Sequence, residues 1–472
     1  MAKRVYYQKL LIFSSLIILA LAMVLRLLNS QYVLEPKDML YITSVETTIM
    51  VICVVLLLRK LIGTIFKVTV IFVIMFSLYM FGQLFLNAIG ALNGPILLGN
   101  ISERACVEAV IDVQIYLVFF LVGVCLAPCY STKEAYTYDP HAVRVGYWIL
   151  AVSLPFEIAL AAIKITLSIT LGYASLYQDV AYEALPSYVK ILSYFFLSGV
   201  FYLLFASPNN SKHEKRSIVL MSLHCISYLV MGYRSACIAP LLLLIYALKI
   251  KRPNTSSKQS KKGMIALVGV LAVLVLFVFP YVGKNRNNGE DRDSGESMTE
   301  IIAENGLFTT IKTMGQSLQV VAYTEELVPS KYPYRYGYTY LINLTTVMPN
   351  FFWDKHPAEV YGSLGRWLTK IVDYEFYEFG GGLGYSCVAE AYINFGYPGI
   401  VLLALLFGFC LMTIENKLDS KQNPILFASM AIVAIYLVSY ARGEFDDIVR
   451  AFFWYMLIPR IFYNFTKKKK YA

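Results

Sequence analysis

The chain reads as an all-α integral membrane protein of about twelve transmembrane helices, with both termini cytoplasmic and one large outward loop late in the sequence. Three observations predict this. Apolar residues make up 58% of the 472 and gather into runs of roughly 16 to 25, the length that crosses a ~30 Å hydrocarbon layer. Charged residues, 15% of the chain, fall between those runs. Basic residues crowd alternate short loops, the bias that marks cytoplasmic connections. A mean hydropathy of +0.59 excludes a soluble protein with one core. The placement of the +10 formal charge argues for membrane orientation rather than nucleic-acid binding.

The spans are expected at 10–28, 40–58, 64–87, 110–128, 146–171, 188–206, 217–231, 234–250, 264–283, 397–414, 424–441 and 447–464. The first opens with MAKRVYYQKLLIFSSLIILALAMVLRLL; its apolar run continues past the signal-like Ala20-Leu21-Ala22, so it reads as an uncleaved span. Lys3, Arg4, Arg59, Lys60, Lys133, Arg144, Lys212, Lys251, Lys417 and Lys467 all fall on one side, which places both ends in the cytoplasm. Three regions follow: helices one to nine in 1–283, an outer loop at 284–385, and an interfacial helix with helices ten to twelve in 386–472. The loop opens on KNRNNGEDRDSGES, a polar tether without apolar period. IIAENGLFTTIKTMGQSLQVVAYTEEL then predicts one or two short amphipathic helices lying at the outer interface.

The approach to the tenth span carries Ser386, Glu390 and Asn394 at four-residue spacing, one face of a helix. A carboxylate beside hydrocarbon needs a partner, a wet cavity or a function. The reading here turns the three toward a substrate cavity, with Pro398 kinking the chain where this helix meets the true span. Gly232-Tyr233-Arg234 makes a tight turn between two spans of ~15–17 residues, each about 22–26 Å long. That turn is expected to be recessed, its guanidinium suited to a phosphate or diphosphate; snorkelling to headgroups is the alternative. Arg442, Glu444, Asp446, Asp447 and Arg450 crowd the last outward turn as either a neutralising knot or the frame of a polar site. Glu157 and Lys164 share a face of the fifth span at a separation of ~10 Å, too long for a direct pair.

In the loop, Tyr332, Tyr334, Tyr336, Tyr338 and Tyr340 fall on every second residue. Extended backbone would make them one aromatic face for sugars, or an interfacial belt, with Arg335 on the reverse. His356 is a candidate for proton transfer. Asp291-Arg292-Asp293 sits in the tether without strand context, and Gly380-Gly381-Gly382 lacks the Lys-Ser/Thr of a phosphate loop. Eight scattered cysteines show neither a disulfide framework nor metal spacing, so no cofactor or metal is expected.

These patterns resemble the O-antigen polysaccharide polymerases of the Wzy type. The resemblance rests on Gly232-Tyr233-Arg234-Ser235; on Tyr336-Gly337-Tyr338-Thr339-Tyr340 running to Met348-Pro349-Asn350; and on Gly384-Tyr385-Ser386 through Ala389-Glu390-Ala391-Tyr392 to Asn394-Phe395-Gly396, with Arg442-Gly443 beyond. It covers most of the chain. It implies nucleotide-independent transfer of a glycan from undecaprenyl diphosphate onto the terminal sugar of another lipid-linked repeat, outside a bacterial inner membrane. Arg234, Arg442 and Arg335 would hold the diphosphate as its charge grows, and Glu390 is the first candidate for base. Asn394, Ser386, Tyr392 and Lys164 complete the expected substrate-binding set. Membrane lipids and a chain-length regulator are the other implied partners. A flippase or other transporter of the same lipid-linked sugar is the rival reading, as is a ligase-like transferase, whose outer-loop histidine does not align with His356.

Overall fold

The computed structural model describes residues 2–65, 67–129, 137–171, 176, 186–231, 306–348, 353–421 and 424–468, with scattered positions between 240 and 251. Among these residues all regular structure is helical. The chain opens with α1 (Ala2–Ser30), α2 (Pro36–Ile62), α3 (Val68–Ala88), α4 (Glu103–Leu126), α5 (Pro140–Thr170), α6 (Ser187–Ala206) and α7 (Lys212–Val230). Small loop helices follow: α8 (Leu307–Gly315), α9 (Leu318–Leu327), α10 (Tyr338–Thr345), α11 (Pro357–Tyr361), α12 (Leu364–Val372) and α13 (Tyr374–Glu378). The chain closes with α14 (Cys387–Lys421), α15 (Pro424–Ser439), and α16 (Phe445–Arg450), which runs through a π-helical stretch at Ala451–Leu457 into α17 (Ile458–Lys468).

Eight of the described helices are long and apolar enough to cross a membrane: Arg4–Ser30, Pro36–Ile62, Val68–Ala88, Glu103–Leu126, Pro140–Thr170, Tyr188–Ala206, Cys387–Leu418 and Pro424–Arg442. The span expected at 217–231 corresponds to α7, whose first turns carry Lys212, His213, Glu214, Lys215 and Arg216. The one expected at 447–464 is helical throughout but keeps Asp447, Arg450 and Arg460. Most of 234–250, all of 264–283, and the polar tether lie outside the described residues.

Local signals set the helix ends. Ser102, Asp139 and Ser211 cap α4, α5 and α7 through side-chain oxygens accepting backbone N–H groups at 3.0–3.2 Å. Gly63 ends α2 at φ +87°, a conformation open to a residue without Cβ. Glu415, late in α14, caps α3 from across the bundle, accepting from Val68 N at 2.9 Å and Thr69 N at 3.2 Å.

Helix α4 is the hub, packed on α1, α2, α9 and α14. Its crossing with α14 is backbone-close. A Cβ on Gly123 would meet Leu405 O at 2.1 Å, and one on Gly408 would meet Phe120 O at 2.0 Å. Small residues at such crossings are what apolar helices use to associate in lipid. Gly123→Ala should therefore force the helices apart at a cost of about 1–3 kcal/mol. The expected result is a lower melting temperature in detergent, and an unchanged one would refute the close crossing.

Arg26 ties α1 to α4, donating to Glu108 at 3.0 Å and to Asp112, while Asn29 donates to Glu108 at 2.6 Å. At the opposite end of α1, Gln8 reaches the Cys125 carbonyl and Arg4 reaches Asn416. Helix α1 therefore runs antiparallel to α4 and α14. The start of α14 and the loop helices gather at the end remote from residue 2.

The stretch from 307 to 327 does form two helices, α8 and α9. Helix α9 is buried nearly all round, against α4 and α14. Helix α8 crosses α3 at a glycine pair, where a Cβ on Gly82 would meet Ile311 O at 2.6 Å and one on Gly315 would meet Gln83 N at 2.3 Å. Two glycines let backbone meet backbone, so α8 is pinned against α3 at its Gly315 end while Leu307 and Phe308 stay exposed. Helix α12 retains the strongly two-sided character of a surface helix, with Leu364 and Leu368 inward and Arg366 and Lys370 over the Tyr377 ring.

Candidate active site

The site is organised by a break in α14. Gly396 has φ +64° and ψ −149°, values that glycine alone adopts readily. Pro398 has no N–H to return to the Asn394 carbonyl. The carbonyls of Ile393 and Asn394 accept instead from loop amides, Arg335 N and Tyr336 N, both at 2.9 Å. The expected kink is present, and it docks the outer loop onto the helix through main-chain atoms. Tyr336 (φ +49°) and Gly337 (φ +85°) then turn the chain into α10.

That turn removes the aromatic stripe. Tyr338 and Tyr340 lie on α10 rather than on extended backbone, so the stripe breaks up, although Tyr334 and Tyr336 still meet edge to face at 6.3 Å. Tyr332 meets Trp367 edge-on, Tyr334 meets Tyr392, Tyr338 meets Tyr361, and Tyr340 stacks on Phe395.

Ser386 caps α14, its Oγ accepting from Ala389 N at 3.1 Å. One turn on, Glu390 Oε1 accepts from Asn343 Nδ2 at 3.1 Å, and its Oε2 accepts from Phe445 N at 2.9 Å and Tyr440 OH at 3.3 Å. A further turn on, Asn394 donates to Thr339 Oγ1 at 2.7 Å and accepts from Gly337 N at 3.0 Å. The expectation that this face looks into water is corrected: Ser386, Glu390 and Asn394 are each 0% exposed. Loop helix α10 and the turn at 440–445 cover them. A carboxylate buried so fully is tolerable because donors surround it.

The open space lies one side chain above. A small cleft opens between α10, α11 and α12, lined among others by Arg335, Asn343, Trp367 and Glu444. Arg335 lies over the Trp367 ring at 5.2 Å, and among the described residues no carboxylate pairs with it. Asn343 joins the two layers, facing the cleft while donating to Glu390 beneath.

Glu444 spans the first amides of α12, accepting from Leu364 N at 2.9 Å and Gly365 N at 3.0 Å. Burial and the nearby Asp446 push its carboxyl up to about 7, against the pull of those two amides. Its density of charged neighbours was visible in the sequence; its place on the cleft wall was not. The rest of the charged turn divides. Arg450 closes on Asp446 and Asp447 as a knot, whereas Arg442 stays exposed, 5.9 Å from the Tyr79 ring and beside Gly384.

The remaining expected residues scatter. Tyr392 is buried, its hydroxyl donating to the Val328 carbonyl at 3.3 Å. Lys164 stands on α5, which packs on α6, α7 and α17, away from the cleft elements; its expected neighbour Glu157 bonds His224 Nδ1 at 2.9 Å. Arg234 lies outside the described residues. His356 caps α11 through Nδ1, accepting from Ala358 N at 3.1 Å, and its Nε2 lies 3.2 Å from the Thr345 carbonyl and 3.1 Å from that of Met348. Both ring nitrogens of His356 lie against backbone groups.

A polytopic helical bundle, with a polar cleft lined by Arg335 and Glu444 and held at one end by a folded loop, defines the class: a multi-pass membrane protein with a polar site at one end of its bundle. The chain belongs to the O-antigen polysaccharide polymerase Wzy family, whose model matches residues 10–469. That membership makes it a multi-pass membrane polymerase of the glycosyltransferase type, acting on lipid-linked oligosaccharide repeat units. Neither a curated protein nor a solved structure matches it.

Proposed function

We propose that the chain joins undecaprenyl-diphosphate-linked O-antigen repeats on the periplasmic side of a bacterial inner membrane, with no nucleotide, and that the cleft above Glu390 is where transfer occurs. The observation that carries this reading is Arg335: a half-buried guanidinium in an open cleft, backed by Trp367. A fork of donors held this way suits the diphosphate that departs as the glycosidic bond forms. Arg442 and Arg234 are the other cations assigned to that anion.

Glu390 enters the proposal as a positioning residue. It fixes Asn343 and the turn before α16, and so sets the floor and one wall of the cleft. Ser386 and Asn394 hold the same seam. A chain-length regulator is carried as a partner on the membrane face.

Deletion of the gene tests this. A polymerase-null strain still displays single repeats on its lipid core, and complementation restores the ladder on a glycan gel. A strain that displays no repeat at all would instead indicate a flippase or a ligase.

A further inference from the structure

We infer that Glu444 is a catalytic residue of the cleft, the carboxylate that takes the proton from the attacking sugar hydroxyl. The inference rests on the polymerase reading above and adds the identity of the base.

Geometry selects it. Of the carboxylates at this end of the bundle, Glu390 is fully enclosed and its two oxygens are committed to Asn343, Tyr440 and Phe445. Asp446 and Asp447 are turned to Arg450. Glu444 lines the cleft that also holds Arg335. Each of its oxygens accepts a single amide, at 2.9 and 3.0 Å, which leaves each a second lone pair. The α12 amides lock its rotamer, so the group is preorganised without being used up.

The step balances as follows. The acceptor oxygen forms its bond to the anomeric carbon of the donor while the bond from that carbon to the diphosphate oxygen breaks. The electron pair leaves with the diphosphate beside Arg335. The hydroxyl proton passes to a Glu444 oxygen and from there to water at the cleft mouth.

Other titratable groups surround this carboxyl: Asp446 and Asp447 from its own segment, Tyr385 and Glu390 from the α14 side, and Arg335, Tyr338 and Tyr361 from the loop. Burial and Asp446 lift it to about 7, where a base balances being deprotonated against wanting the proton. Because only the carboxylate form accepts, the rate should rise with pH through that range and then level off.

The test uses membranes from the deletion strain carrying full-length wild-type, Glu444→Gln or Glu444→Asp protein, supplied with that strain's own lipid-linked repeats. Polymer formation is followed from pH 5.5 to 8.5, alongside an immunoblot of membrane level. Glutamine keeps an oxygen for one of the two α12 amides and sets its NH2 against the other, so a merely structural role would lower membrane level or rate alike at every pH and leave the rising limb in place. The expected result for Glu444→Gln is a loss of about 10²–10⁴-fold with the limb abolished, and for Glu444→Asp a reduced rate with a displaced limb. Wild-type rate or an unmoved limb in Glu444→Gln overturns the assignment. If that variant is degraded, an undisplaced limb in Glu444→Asp overturns it equally. Absence of polymer from wild-type membranes would count against the polymerase reading itself.

Discussion

Arg335→Ala should erase the polymer ladder while single repeats still reach the surface. Alanine removes both the charge and the planar fork that rests on Trp367. Loss of a preorganised group that stabilises developing charge costs about 10²–10³-fold in rate, or ~2.7–4 kcal/mol. Its backbone amide, which bonds the Ile393 carbonyl, is untouched, so the loop stays docked and the protein level should hold. Arg335→Lys should recover only part of the activity. Lysine restores a point charge, but neither the bidentate geometry nor the stacking. Glycan gels alongside membrane immunoblots decide the matter; a full ladder from Arg335→Ala would remove the cation from the mechanism.

The second large effect is on stability. Glu390→Ala leaves Asn343 Nδ2, Tyr440 OH and Phe445 N without the acceptor they share. Each unsatisfied buried group costs about 1–3 kcal/mol, and the sum is comparable to a typical net stability of ~5–15 kcal/mol. Membrane levels should collapse. Glu390→Gln should be far milder. Its amide oxygen keeps Phe445 N and Tyr440, and its amide nitrogen meets Asn343, whose own amide turns to offer oxygen. Loss of polymer in Glu390→Gln at full membrane level would return Glu390 to the chemistry itself.

Those contrasting residues show what a sequence displays and what it hides. The spans at 10–28, 40–58 and 188–206 were legible because lipid demands long apolar helices and leaves the backbone few other choices. The kink near Pro398 was legible for a related reason, a missing donor. The face shared by Ser386, Glu390 and Asn394 was legible too, since helical period fixes which side chains align. What covers that face was not, because periodicity carries no information about a neighbour 50 residues away. Nor could two-residue spacing reveal that Tyr338 begins a helix; the positive φ of Tyr336 and Gly337 had already turned the chain. Glu444 escaped notice as a cleft group because its partners are backbone amides of α12, which no residue pattern advertises. The docking of α8 on α3 depended on two glycines, Gly82 and Gly315, far apart in the chain.

The fastening of the loop to the Ile393 and Asn394 carbonyls has a corollary. A clasp made of peptide groups does not draw on the side chain at 335, so that side chain can change while the loop stays seated on the helix. Anchorage and chemistry are thereby divided between the backbone and the side chains of one short segment.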